Sequence, residues 1–239
     1  MKQTIGVILF VGTLVAAFQN CSNVNFSKDA ATATESGLEP SIPVICDPLS
    51  TGSQAATCHE GSDDGLLGNV YYLPNEKGSV QRYIDYGTRL NIYVQMSNLD
   101  IPTRDWTSGF PAPQGVLQDQ NGDALIEYFG MDLRGYIKLK DNYNEDDYDF
   151  AIASDDGAIL DIDGREIVNN DGQHDRQWKC SSESVHLKVG EAKAMRLRYY
   201  QGPRVQIALQ VYMRPASQRS QGCGDNKGWT IIPSELLKH

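Results

Sequence analysis

The chain has 239 residues, 40% of them hydrophobic, and a formal net charge of −10. That length suits one domain of ordinary size plus appendages, with apolar residues enough for a soluble core. The acidic balance excludes the broad positive footprint on which nucleic-acid binding rests, and is compatible with cations as partners.

The N-terminus reads as an export signal. Lys2 is followed by an apolar run from Ile5 to Phe18, too short for a comfortable membrane span. Cys21 ends the run, and the layout resembles a bacterial lipoprotein signal, in which the cysteine becomes the lipidated first residue. Residues 1–20 are then the signal peptide and Ser22 fits sorting to the outer membrane, so the resemblance implies an exported chain anchored by lipid at the outer membrane or cell surface. Cleavage after Ala17 is the alternative and would release a periplasmic or secreted protein. Residues 22–41 are rich in Ser, Thr and Ala and read as a tether. A flexible segment of about 20 residues reaches roughly 25 Å, enough to hold a domain clear of a membrane.

Four further cysteines remain: Cys46, Cys58, Cys180 and Cys223. In an exported chain an even number predicts two disulfides. Of the three pairings, Cys46–Cys58 closes a short loop in the lead-in, 42–64, and Cys180–Cys223 pins the tail, 215–239, onto the domain. Neither spacing matches a zinc site.

From residue 66 the pattern becomes strands. In order these are "LLGNVYYL" (66–73), "RLNIYVQM" (89–96), "GYIKLK" (135–140), "YDFAIAS" (148–154), "AILDID" (158–163), "SVHLKV" (184–189), "KAMRLRYY" (193–200) and "RVQIALQVYM" (204–213). Turn chemistry separates them, with Asp163-Gly164 a tight-hairpin signal and a short helix expected within 75–88. Many short strands at such spacing predict an all-β sandwich of antiparallel strands.

Residues 65–214 resemble the PA14 domain, a β-sandwich module of bacterial toxins, glycosidases and adhesins. The resemblance is carried by "GLLGNVYYL", by "RGYIKLKDNYNEDDYDFAIASDDGAILDIDGREIVNNDGQH", and by "VHLKVGEAKAMRLRYYQGPR" with "VQIALQVYMRP". The family phrase is a serine, two aspartates and a glycine, then an apolar strand, then Asp-Gly; residues 154–164 reproduce it.

Neighbouring side chains on a strand diverge, so Asp155 and Asp156 reach one ion only if the backbone leaves strand geometry. A cis peptide between them is one solution, with Gly157 expected to let the backbone recover where other residues are excluded. Calcium, a hard cation taking 6–8 oxygens, suits two carboxylates. In sugar-binding PA14 members such a pair holds calcium and the calcium takes sugar hydroxyls. The resemblance therefore implies Asp155 and Asp156 as ligands, with the loop at 200–204 supplying Gln201 through its side chain, Gly202 through its carbonyl and Arg204 as a donor to sugar. The implied function is a surface-anchored, calcium-dependent carbohydrate-binding or adhesion module whose partner is a cell-surface glycan or an envelope protein. The alternative is a structural or protein-interaction module of the envelope with no metal or glycan, the acid pair only closing a turn.

Enzyme chemistry finds no phrase to rest on. There is no G-x-S-x-G, and adjacent acids rarely flank a scissile glycosidic bond. His174 beside Asp175 reads as a turn residue rather than a base. "DNYNEDDYD" (141–149) fails the EF-hand pattern, with Asp146 at position six and Ile152 at position twelve.

Overall fold

The structure, a computed structural model, describes residues 42–50, 62–112, 115–203 and 206–239. The signal-like segment, Cys21, the tether, Cys58 and Arg204 lie outside these. In chain order the first strands are β1 (Val44–Cys46), β2 (Leu66–Tyr72), β3 (Thr88–Met96), β4 (Asp100–Asp105), β5 (Pro111–Ala112) and β6 (Gly115–Val116). There follow β7 (Phe129–Lys138), β8 (Asp146–Asp155), β9 (Ala158–Ile162), β10 (Arg165–Asn170), β11 (Gln177–Cys180) and β12 (Val185–Leu187). The last are β13 (Ala192–Gln201), β14 (Gln206–Pro215), β15 (Thr230–Ile231) and β16 (Leu237–Lys238). One helix, α1 (Val80–Tyr86), precedes β3.

Two sheets make the sandwich. The larger runs β1-β3-β2-β7-β13-β9-β10, with β16 also on β7; the smaller runs β11-β8-β14-β15, with β12 on β8 and β4 on β14. Period-2 alternation decides which residues meet between them. Phe129, Met131, Leu133 and Ile137 of β7 and Met195, Leu197 and Tyr199 of β13 face Phe150 and Ile152 of β8 and Ile207, Leu209 and Val211 of β14 in one buried cluster. Each large side chain fully buried there contributes about 1.5–3 kcal/mol. Strand β8 is buried on its other side as well, where Ala151 and Ala153 lie under Trp178, Tyr212 and Trp229. That two-sided burial accounts for its nearly continuous apolar run.

The Asp163-Gly164 turn joins β9 to β10 with φ of 49° and 74°, the double positive φ of a type I′ hairpin. Helix α1 falls within the expected 75–88. Its N-cap, Ser79, accepts from the Gln81 amide, and Tyr83 stacks on Tyr200 at 5.2 Å between centroids. The helix lies close on the larger sheet: a Cβ at Gly130 would sit 2.6 Å from that of Tyr83.

Both ends of the domain are tied in. The lead-in is not a separate appendage, because Val44–Cys46 pairs parallel to β3. The tail returns through β15 on β14 and β16 on β7, burying Ile232, Leu236 and Leu237. Cys180 and Cys223 form the expected disulfide, with Cα atoms 5.9 Å apart. Cys46 is also disulfide-bonded.

Candidate functional site

Strand β8 ends at Asp155, and Asp156-Gly157 crosses from the smaller sheet to β9 in the larger one. The Asp155–Asp156 peptide is cis, as expected. Gly157 answers a different demand from the expected one. It is absent from the residues of positive φ, but a Cβ there would meet Tyr200 Cε1 at 2.5 Å, Asp171 Oδ1 at 2.6 Å and the Gly172 amide at 2.8 Å. The glycine is required for space, because the crossover is pressed between β13 and the loop that follows β10.

Three segments grip this crossover. The Asp156 carboxylate accepts the His174 amide at 3.0 Å and the Gly202 amide at 2.8 Å. Asn170, buried at the end of β10, donates to Ser154 Oγ at 2.9 Å and to the Gln177 carbonyl at 3.1 Å. Asp171 accepts the Val80 amide at 2.9 Å, so the same loop also caps α1. Both His174 ring nitrogens face carbonyl oxygens of the loop, Asp175 and Asn170, each at 3.0 Å. A neutral ring can donate to only one of them. The histidine is a clasp of its turn, and no Ser, Thr or Cys hydrogen-bonds its ring among the described residues.

The two acids open on one cavity of about 280 Å³, lined by Asp155, Asp156, Gln173, His174, Asp175, Pro203 and Gln206. Asp155 is 8% exposed and Asp156 4%. Burial, with Asp156 and Asp175 close by, pushes the Asp155 carboxyl up to about 7, against a smaller opposing pull from His174. Burial raises Asp156 too, opposed by the Gly202 and His174 amides. Among the described residues no basic side chain forms an ion pair with either acid.

The family model of the PA14 domain matches residues 123–227. Those residues are a PA14 domain. Its fold is shared with the PA14 domain of the MpAFP antifreeze protein, at 16% identity and TM-score 0.53, over 76% of this chain and 95% of that one. It is also shared with a PA14 sugar-binding domain from an RTX adhesin, at 17% identity and TM-score 0.50, over 74% and 99%. An anti-sigma factor domain-containing protein is 21% identical with TM-score 0.48, and this chain spans 48% of that longer one. No curated protein matches the chain.

Within this PA14 domain the second loop differs from the expectation. Gln201 is the last residue of β13 rather than a loop residue, and alternation turns it inward beside Tyr199. It is 1% exposed; the Tyr199 hydroxyl lies 2.9 Å from its Oε1 and 2.7 Å from the Asp155 carbonyl, donating to one at a time. Its Nε2 donates to the Pro203 carbonyl at 3.2 Å. Gly202 does reach the acid pair, but through its amide; its carbonyl accepts from Tyr128 at 3.1 Å. Both residues position the site as supports, where ligand roles were expected. Sequence reading did not place Gln173, Asp175 and Gln206 on the cavity. The polar turn 169–175 carried the only signal for two of them, and nothing marked Gln206, which begins β14.

The donor set fits a hard cation. It is oxygen-rich, doubly acidic and, among the described residues, without a basic partner. Two carboxylates supply fewer than the 6–8 oxygens calcium takes, which leaves positions for water or hydroxyls. Among the described residues no group of three or more His, Cys, Asp or Glu is arranged to hold a metal, so a cation here would depend on that completion.

Proposed function

We propose that this PA14 domain is a carbohydrate-binding or adhesion module in which Asp155 and Asp156 hold calcium, and through it sugar hydroxyls. One observation carries the reading: two buried carboxylates converge on one cavity, and among the described residues neither has an ion-pair partner. Buried charges are ordinarily paired or engaged with a metal. Calcium would neutralise the pair and offer its remaining coordination positions to vicinal hydroxyls. The chain's own part is to hold the acids still: the His174 and Gly202 amides fix Asp156 in place, while Gln173, Asp175 and Gln206 present polar groups around the open side. The kinship with the RTX adhesin sugar-binding domain supports the same class of ligand. The signal-like N-terminus and tether support an exported, lipid-anchored protein, with a cell-surface glycan or envelope protein as partner and binding rather than catalysis as its task.

A second reading rests on those same two amide bonds. Asp156 staples the loops at 174 and 202, which a structural module without a ligand would also need. Calorimetric titration with calcium, followed by a glycan array with and without chelator, separates the two. Binding in the millimolar range or tighter, and glycan signals lost in chelator, are expected. A flat titration would remove the metal, and an array blank in calcium would remove the sugar. The staple reading predicts that Asp156→Asn changes no binding to any partner.

A further inference from the structure

The acid cavity carries a third carboxylate, Asp175, whose side chain neither clasps the fold nor joins the acid pair. It lies exposed in the loop between β10 and β11, and among the described residues its carboxylate makes no ion pair or hydrogen bond. Among those residues no three acids are arranged to hold a metal, so Asp175 stands near the pair but outside the ligand set. The next residue, Arg176, is committed elsewhere: its Nε and Nη2 donate to Gln210 Oε1 at 3.1 and 2.8 Å, and Nη2 reaches Asp225 at 3.4 Å. Beyond burial, the Asp175 charge adds to the upward push on both buried carboxyls, so it is felt at the centre of the site. The wall also presents Gln173 and Gln206, uncharged amides that both donate and accept.

Resting on the calcium-and-sugar reading of the pair, we propose that Asp175 is a specificity residue: it bars acidic sugars and confines the site to one uncharged ring. The charge of a calcium ion cancels those of Asp155 and Asp156. With those groups alone, a sugar carboxylate would compete well with hydroxyls, because calcium takes carboxylate oxygens readily. Asp175 leaves the loaded cavity with a net negative charge, and an uncompensated like charge is one way a site rejects a close competitor. A neutral ring meets no such penalty and still finds donors and acceptors in Gln173 and Gln206. Size points the same way. About 280 Å³ lies below the roughly 300–1,000 Å³ of pockets that enclose drug-sized ligands, which suits a single ring.

The test titrates the methyl glycosides of glucose, galactose and mannose into calcium-loaded protein at pH 8, each against the methyl uronate that differs from it only at C6. In whichever pair binds, the neutral member should bind about tenfold tighter, roughly 1.4 kcal/mol. Asp175→Asn should close most of that gap by strengthening the uronate while leaving the neutral sugar unchanged. Salt should close it in the parent, as the Debye length shortens from about 10 Å at 0.1 M to about 3 Å at 1 M. A second readout needs no calcium: in chelator at pH 8, Asp175→Asn should melt about 2–4 °C above the parent, because the buried pair loses a like-charged neighbour. Uronates that bind the parent as tightly as their neutral partners, a gap that the variant keeps, or a variant that melts no higher would each overturn the proposal and leave the calcium reading standing. A panel blank in calcium would remove the sugar reading and the proposal with it.

Discussion

Buried acids in this sandwich are treated in two ways. Asp149, 1% exposed, is surrounded: Arg219 Nε donates to it at 3.0 Å, Ser184 at 2.8 Å, and the Arg214 guanidinium lies 3.8 Å away. Asp155 and Asp156 are nearly as buried, yet among the described residues they meet backbone amides and a cavity rather than a basic side chain. The first arrangement is closed and serves the fold, pinning the tail beside the Cys180–Cys223 disulfide. Among the described residues the second has no counter-charge, which costs stability and, on the proposed function, is what calcium would supply. The two arrangements differ in whether the described protein groups provide that counter-charge.

The closed arrangement gives the largest expected effect. Asp149→Ala strands Arg214, 3% exposed, without its partner. Breaking a buried pair by removing one member costs about 3–5 kcal/mol, measurable by urea unfolding. A loss under about 1 kcal/mol would mean that Arg214 is satisfied by the Gly222 and Lys227 carbonyls it also bonds.

Asp155→Asn should do the opposite. The native carboxyl titrates near 7 and the unfolded one near 3.9, so between those values the native state holds more protons. Stability therefore falls as pH rises through that window. The penalty is absent below about 4 and complete above about 7. That displacement corresponds to about 4 kcal/mol, and the carboxylate's opening on the cavity reduces this to roughly 2. Thermal melts in chelator should show the parent losing stability from pH 5 to pH 8, and the variant losing less. Calcium added at pH 8 should restore the parent and not the variant. A parent whose melting temperature is flat across that range would dissolve the contrast with Asp149.

What the sequence revealed follows the range of the interactions. Eight strands were legible because alternation is local, as was the Asp163-Gly164 turn, whereas β1, β4, β5, β6, β10, β11, β15 and β16, mostly short, were not. Asp155 and Asp156 were legible as a pair because adjacency itself posed a geometric problem. Their surroundings were legible only in part: the loop at Gly202, 46 residues away, was expected, though not through its amide, while His174 approaches from 18 residues away and the arginine that holds Asp149 from 70. Gln201 was misplaced for a smaller reason: β13 runs one residue past Tyr200, and a single step of alternation turns that amide from cavity to core.

Gly157→Ala tests how tightly the open site is built. The added methyl meets Tyr200, Asp171 and the Gly172 backbone within 2.8 Å. Overpacking of this kind costs about 1–3 kcal/mol. Because Asp171 and Gly172 share the loop that carries His174, calcium affinity should fall together with stability. Lost stability with unchanged affinity would show that the loop moves without disturbing the acids.

The smallest effect belongs to Asp132, which combines the two treatments: its carboxylate is 5% exposed but held by two arginines of unequal burial, Arg134 at 65% and Arg196 at 27%. Arg134→Ala removes the exposed partner and leaves the other bidentate, so the cost should stay within about 0–1 kcal/mol. Arg196→Ala should cost more, since the contact that remains is largely in water. The double variant should exceed the sum of the singles, because only then does the buried carboxylate lose both arginines, and among the described residues Asp155 and Asp156 have no such partner natively. Simple additivity in urea unfolding would show that water already satisfies Asp132, and that burial beside the cavity, rather than the missing arginine, sets the acid pair apart.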